Sequence, residues 1–275
     1  MRHLFYTQRM TDHVAARVTL GTQLRQALEN QEYVLHYQPK LNLGSGRATG
    51  AEALIRWNNP RAGLVEFIPV LEETGLIYEV GRWALRQAID DHLRWRALGL
   101  TALPVAVNVS PLQLSNCGFL DEVREAIGID PHAAAVLELE ITESVIMEDI
   151  DRNIGTLQAL RAMGVRISID DFGTGFSSLS YLARLPVDAL KIDRSFVQGM
   201  TTGPQGLALV STVINLAHAL SLKVIAEGVE TDEQSRLLQL LGCDEIQGYL
   251  VSRPLPSHAL EARFLGLAPA APAGQ

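Results

Sequence analysis

The sequence predicts an α/β chain closed as a TIM-like (β/α)8 barrel. Three observations lead there: short Val- and Ile-rich runs alternate with longer helical stretches, eight such runs can be counted, and nearly all of them end in a carboxylate, an amide or a lysine. At 275 residues the chain is long for one average domain but suits a single barrel, which typically takes about 250 residues. With 47% hydrophobic and 20% charged residues, it has the composition of a globular protein able to bury a substantial core.

Taken in order, the expected strands are Tyr33–Gln38, Ala48–Trp57, Val105–Val109, Leu137–Ile141, Val165–Ile169, Ala189–Ile192, Leu222–Ala226 and a short one near Asp244–Ile246. Helical periodicity covers Glu79–Leu98, Asp151–Met163, Gly206–Leu220 and Thr231–Leu241, with Gly164 and Gly242 as C-terminal stops. Thr19–Glu29 reads as an amphipathic helix leading into the first strand. Residues 1–18 are expected to be a connector, 19–264 the barrel domain, and 265–275 a flexible Ala/Pro-rich tail.

The bulk properties exclude several functions. A net charge of −8 argues against a duplex nucleic-acid binder, which needs a basic face for phosphates. Only two cysteines occur, Cys117 and Cys243, in no C-x-x-C arrangement, so thiolate zinc chemistry is excluded and two reduced thiols are expected. No apolar run approaches the roughly 20 residues of a membrane span, and Met1–Leu20 lacks a signal-peptide core. The expectation is a cytoplasmic domain making no membrane contact through this segment.

The strand ends carry the functional signal, because the C-terminal end of each strand faces the mouth of such a barrel. The two-residue strand period places Glu52, Leu54 and Arg56 on one face, and Glu138, Glu140 and Thr142 on another. Asn108 ends a third strand. Asp170-Asp171 precedes Phe172-Gly173-Thr174-Gly175, Lys191 and Asp193 share a face, and Glu227 stands just before Gly228. Any one acid at a strand end is most often a turn or cap residue. Four or more converging on one mouth repel each other and need compensation, which divalent cations provide. Carboxylates and an amide, with no His among them, favour Mg²⁺ or Mn²⁺ over Zn²⁺. Adjacent aspartates suit a bridged pair of ions about 3.5–4 Å apart, an arrangement that serves phosphodiester hydrolysis.

Glu52-Ala53-Leu54, within Thr49-Gly50-Ala51-Glu52-Ala53-Leu54-Ile55-Arg56-Trp57, resembles the signature of the EAL-domain cyclic di-GMP phosphodiesterases. The resemblance runs from about Leu20 to Leu260 through Tyr37-Gln38-Pro39, Phe67-Ile68-Pro69, Asn108-Val109-Ser110, Glu140-Ile141-Thr142-Glu143, the Asp170–Gly175 block, Leu190-Lys191-Ile192-Asp193, Ala226-Glu227-Gly228-Val229-Glu230 and Gln247-Gly248-Tyr249. It implies a barrel with one antiparallel strand and a metal-dependent hydrolysis of cyclic di-GMP to linear 5′-pGpG. Carried over by position, Glu52, Asn108, Glu140 and Asp170 would hold one ion. Asp170, Asp171 and Glu227 would hold or orient the second and its water. Lys191 would position the nucleophilic water, with Glu227 its general base, so Lys191, Glu227 and Glu52 form the implied catalytic set. Gln38, Leu54 and Arg56 would line the dinucleotide site, with Gln247 near the metals and Glu230 assisting from further away. Glu143 would anchor the Asp171–Ser178 loop and link a homodimer interface to metal binding.

Lys40 and Val70-Leu71 depart from the pattern this resemblance suggests, and neither is expected to touch the chemistry. Leu4–Met10 resembles the connector that follows GGDEF (diguanylate cyclase-like) domains, so an upstream GGDEF or sensory domain is an expected partner. Two other readings stay open: a catalytically silent cyclic di-GMP receptor signalling through its dimer interface, and a metal-assisted lyase on the same barrel.

Overall fold

Strand pairing closes a ring. The computed structural model describes residues 8–59, 67–100, 103–173 and 179–266. Its strands are β1 (Tyr33–Asn42), β2 (Ala48–Trp57), β3 (Val105–Asn108), β4 (Leu137–Thr142), β5 (Arg166–Phe172), β6 (Ala189–Ile192), β7 (Lys223–Ala226), β8 (Glu245–Ile246) and β9 (Leu255–Pro256). From β2 to β8 the strands lie side by side in chain order, all parallel. β1 runs antiparallel to both β8 and β2 and so closes the barrel; β9 pairs with β1 outside the ring. The barrel and its single antiparallel strand agree with expectation, and β9 is an addition. Of the connector expected over 1–18, residues 8–18 belong to the helix Gln8–Glu29 and residues 1–7 lie outside the described residues, as does the tail from residue 267.

Helices occupy the crossovers, as parallel strands require. Ile77–Ala97, Ile150–Ala162, Pro204–Ala219 and Asp232–Leu240 lie close to the predicted helices, and the first helix, Gln8–Glu29, begins earlier than the periodicity suggested. Each turns an apolar stripe inward. In Ile77–Ala97 the stripe is Val80, Ala84, Leu85, Ala88, Ile89 and Trp95. Those side chains share one buried cluster with outward-facing strand residues such as Leu139, Ile141, Ile167 and Leu190, all at most 1% exposed. Full burial of each such Leu or Ile contributes roughly 1.5–3 kcal/mol. A polar tie fixes β1 to the same helix: the Tyr37 hydroxyl donates to Asp91 at 2.5 Å while its ring meets Trp95 edge-on at 5.1 Å.

Apolar residues face the helices, so the inward positions are left to polar ones. The barrel interior holds Lys40, Glu52, Glu138, Glu140, Ser168 and Lys191, and register stacks them: Gln38 opposite Glu52, Asn108 beside Glu140, Glu140 beside Ser168, Thr142 beside Asp170. No helix among the described residues is long and apolar enough to cross a membrane.

A candidate metal centre at the barrel mouth

The centre of the mouth is an ammonium group. Lys191, on β6, is 0% exposed, and its Nζ lies 2.5 Å from Glu227 Oε1, 2.8 Å from Glu140 Oε2, 3.1 Å from Asp170 Oδ1 and 3.6 Å from Glu52 Oε2. Those four carboxylates come from β2, β4, β5 and the end of β7, so the barrel itself sets their convergence. Burial opposes the lysine's charge, but Glu140, Glu52, Glu227 and Asp170 outweigh it and hold the ammonium well above the usual lysine range.

One cation among four carboxylates leaves negative charge in excess. Burial, together with Asp170, Glu52 and Glu140, pushes the Glu227 carboxyl up to about 8 despite the attraction of Lys191. Burial and the neighbouring charges of Asp170 and Asp193 also raise Asp171. Oxygens of Asp170, Asp171 and Glu227 lie within 4.8 Å of one another. Asp171 has a φ of +52°, a left-handed conformation that Asp tolerates better than most residues, and its backbone N–H donates to Asp170 Oδ1 at 3.0 Å.

Two amides complete the ring. Asn108 Nδ2 donates to Glu52 Oε1 at 2.6 Å, and Gln247 Nε2 donates to Glu52 Oε2 at 2.5 Å and Gln38 Oε1 at 3.1 Å. A capping box between Ser110 and Gln113 starts the next helix immediately past Asn108, which fixes where that strand end stops. Gln247 Oε1 is buried without a hydrogen-bond partner.

These groups suit a divalent cation on chemical grounds. The donors are hard oxygens, and the Lys191 ammonium already occupies a cation's place among them. An orphaned buried carbonyl lies next to Glu52. The acidic cluster therefore fits metal ions.

A cavity of about 220 Å³ opens above the cluster, lined by Gln38, Glu52, Leu54, Asp170, Glu227, Glu230 and Gln247 together with Arg194 and Tyr249. Leu54 also lines a second cavity of about 310 Å³, more apolar, which contains Arg56, Asn108 and Thr142. The structure thus brings Gln38, Glu230 and Gln247 to the metal side and sets Arg56 across Leu54 from it. Glu143 is 1% exposed and accepts the Gly173 N–H at 2.7 Å, at the start of the loop it was expected to anchor; residues 174–178 of that loop lie outside the described residues.

Three residues were given no site role on sequence. Arg194 is the only cation among the described residues lining the first cavity, and it packs so close to Gly228 that a Cβ there would lie 2.4 Å from Arg194 Cβ. Tyr249 is half-exposed at the same mouth with the Arg253 guanidinium 4.1 Å over its ring. Lys40 corrects an explicit expectation. Set apart from the chemistry on sequence, it is 2% exposed and donates from Nζ to Glu140 Oε1 at 2.8 Å and to Glu138 Oε1 at 2.9 Å. Extended β1 carries its side chain into the barrel, where only strand register shows what it meets.

Comparison with known proteins agrees with this geometry. The family model of the EAL domain matches residues 22–254. Over 263 residues the chain is 43% identical to the bifunctional diguanylate cyclase/cyclic di-GMP phosphodiesterase MucR of Pseudomonas aeruginosa, covering 94% of this chain and 38% of that protein. It is also 43% identical over 260 residues to the cyclic di-GMP phosphodiesterase NbdA of the same organism, covering 94% of this chain and 33% of the relative. The chain thus spans little more than a third of the length of these curated relatives. A solved structure of the MucR phosphodiesterase in complex with c-di-GMP superposes with a TM-score of 0.84 at 45% identity, covering 88% of this chain and 99% of that one.

Proposed function

The chain belongs to the EAL domain family, and from that membership we propose that it is a metal-dependent phosphodiesterase hydrolysing cyclic di-GMP to linear 5′-pGpG. The observation that carries the reading is the buried Lys191 ammonium ringed by Glu52, Glu140, Asp170 and Glu227 beneath an open cavity. So much negative charge at a barrel mouth is costly unless cations share it. An anionic dinucleotide can approach an acidic protein only where cations reverse the local field. Relatives named as cyclic di-GMP phosphodiesterases, and a relative solved with c-di-GMP, support this substrate.

In this proposal Glu52, Asn108, Glu140 and Asp170 would hold one Mg²⁺ or Mn²⁺, and Asp170, Asp171 and Glu227 would hold or orient a second and its water. When bound, such ions lower the pKa of water and neutralise charge on phosphoryl oxygens. The chain's own groups do the rest. Glu227 accepts a proton from the attacking water, and Lys191 orients that carboxylate while facing the developing negative charge. The water oxygen bonds to phosphorus and the bond to the ribose 3′ oxygen breaks. That oxygen takes up a proton from solvent, the proton taken by Glu227 returns to solvent, and the 5′-phosphate stays on the product. Gln38, Leu54 and Glu230 line the nucleotide's path, and Arg194 and Arg56 offer guanidinium groups on either side of Leu54. A homodimer communicating through Glu143, and an upstream GGDEF or sensory domain, belong to the same proposal; the bifunctional name of MucR supports the latter.

The test is chromatography of cyclic di-GMP incubated with the purified chain in Mg²⁺, Mn²⁺ or EDTA. Linear pGpG formed with metal and absent in EDTA is the expected result. Tight binding with no product under either metal would make the domain a receptor instead.

A further inference from the structure

We infer that Lys40 is a positioning residue that holds Glu140 in its metal-binding orientation from the floor of the barrel; the inference rests on the phosphodiesterase reading, through its assignment of Glu140 as a ligand. Glu140 is 1% exposed and each of its oxygens is held by a different ammonium: Oε1 by Lys40 at 2.8 Å and Oε2 by Lys191 at 2.8 Å. A carboxylate gripped at one oxygen can still rotate about its last torsion, which is broad for Glu. Gripped at both, it cannot.

The rest of the arrangement fixes Lys40 in turn. Opposite Gly50 on β2, its stem meets no competing side chain, and a Cβ at that glycine would come to 3.7 Å from Lys40 Cδ. Below it, Glu138 Oε1 accepts from Lys40 at 2.9 Å and from Ser168 Oγ at 2.9 Å. Glu138 alone would neutralise Lys40. A buried pair kept only for stability gains little over apolar side chains of similar volume. The second bond, to Glu140, is what the pair adds, and of the four carboxylates around Lys191 it reaches the one buried deepest, Glu140. Outer groups that orient ligands are commonly worth about 10–100-fold in metal affinity.

The sign of the effect separates positioning from charge. A fixed ammonium near a cation site repels the incoming ion, so by Coulomb interaction alone its removal tightens metal binding. Loss of a positioning residue loosens it. The experiment measures Mn²⁺ dissociation constants, by electron paramagnetic resonance of the free ion, for the wild-type chain, Lys40→Met and the double variant Lys40→Met/Glu138→Met. The double variant exchanges the buried pair for apolar side chains and so keeps the fold testable if Lys40→Met alone unfolds. Thermal melting in EDTA reports folding for each. We expect Mn²⁺ binding to weaken at least tenfold in every folded variant, with turnover recovering at saturating Mn²⁺ and the KM for cyclic di-GMP within about twofold of wild type. Affinity unchanged within twofold, or tightened, in a folded variant overturns the positioning role. Failure of the wild-type chain itself to bind Mn²⁺ overturns the metal reading on which the inference stands.

Discussion

Both ends of this barrel are charged, yet they are charged differently. At the floor each acid finds a base, Lys40 with Glu138, Lys223 with Glu245 and Arg161 with Asp188, and Arg166 adds a further guanidinium whose buried Nε and Nη2 have no hydrogen-bond partner among the described residues, beside a cavity of about 60 Å³. At the mouth, Lys191 faces four carboxylates, and Asp171 lies beside two of them. The residue types are the same and only the balance differs. Where every acid has a base within the chain, no outside cation is called for. Where acids outnumber bases, the protein is built to receive something from outside, and the uncompensated end is the one that opens onto the larger cavity.

Removing the ammonium that the four mouth carboxylates share is the most severe way to break that contrast. Lys191→Ala is expected to reduce hydrolysis at least about a thousandfold, because the water and Glu227 both lose their partner. In EDTA it also leaves buried carboxylates uncompensated, a change that typically costs about 3–5 kcal/mol. Calorimetry with and without Mg²⁺ checks the comparison: the variant's lost melting temperature should return largely with metal. Glu52→Ala should be equally inactive without that metal-rescued stability. If Lys191→Ala melts like the wild type in EDTA, the ammonium is not the mouth's internal counter-ion.

How much of this could be read in advance follows from the same contrast. Outward strand residues are apolar and inward ones polar, so strand ends and the acids on them were visible from a two-residue period, as at Glu52 and Glu140. β1 was read only to Gln38, although a proline such as Pro39 need not end a strand that pairs on one side there. It continues to Asn42, since Pro39 falls between the short stretches that pair with β9 (His36, Tyr37) and with β8 (Leu41, Asn42). That miscount hid Lys40. β9, two residues with a proline among them, has no periodicity to detect. Arg194 was hidden for another reason: it follows a strand end by two residues and belongs to the cavity only through close packing on Gly228.

The two ends should also titrate in opposite directions. Glu227, pushed up to about 8 by burial and its acidic neighbours, keeps a proton in the metal-free fold that the unfolded chain releases near its ordinary value of 4.5. Its contribution to metal-free stability is therefore complete below about 4.5 and lost as the pH rises to about 8. A divalent ion competes for the same carboxylate, so Mn²⁺ affinity should fall by up to about tenfold for each pH unit below 8. At the floor, burial would raise Glu138, but Lys40, Ser168 and Arg166 overcome it and hold the carboxyl down to about 2. Its contribution is present above 4.5 and lost as the pH falls towards 2. Isothermal titration with Mn²⁺ from pH 6 to 9 checks the first claim; acid unfolding of the metal-free chain, compared with Glu138→Gln, checks the second. A Mn²⁺ affinity flat across pH 6–8 would contradict the raised Glu227.

The smallest effect is expected where compensation is complete and water is near. Lys223 pairs with Glu245 at the floor, but its own side chain is 44% exposed, and Glu245 keeps a second donor in Thr49 Oγ1 at 2.5 Å. Solvent screens a pair of this kind, so Lys223→Ala should cost about 1 kcal/mol or less, a shift of roughly 2–4 °C in melting temperature. Unlike Lys40, Lys223 touches no carboxylate of the mouth. Its loss should leave both Mn²⁺ affinity and kcat/KM for cyclic di-GMP within about twofold of wild type, the same stability change appearing with and without metal. A larger change in metal affinity would mean that charge at the floor reaches the mouth by routes other than Glu140, and that the two ends of the barrel form one electrostatic unit rather than two.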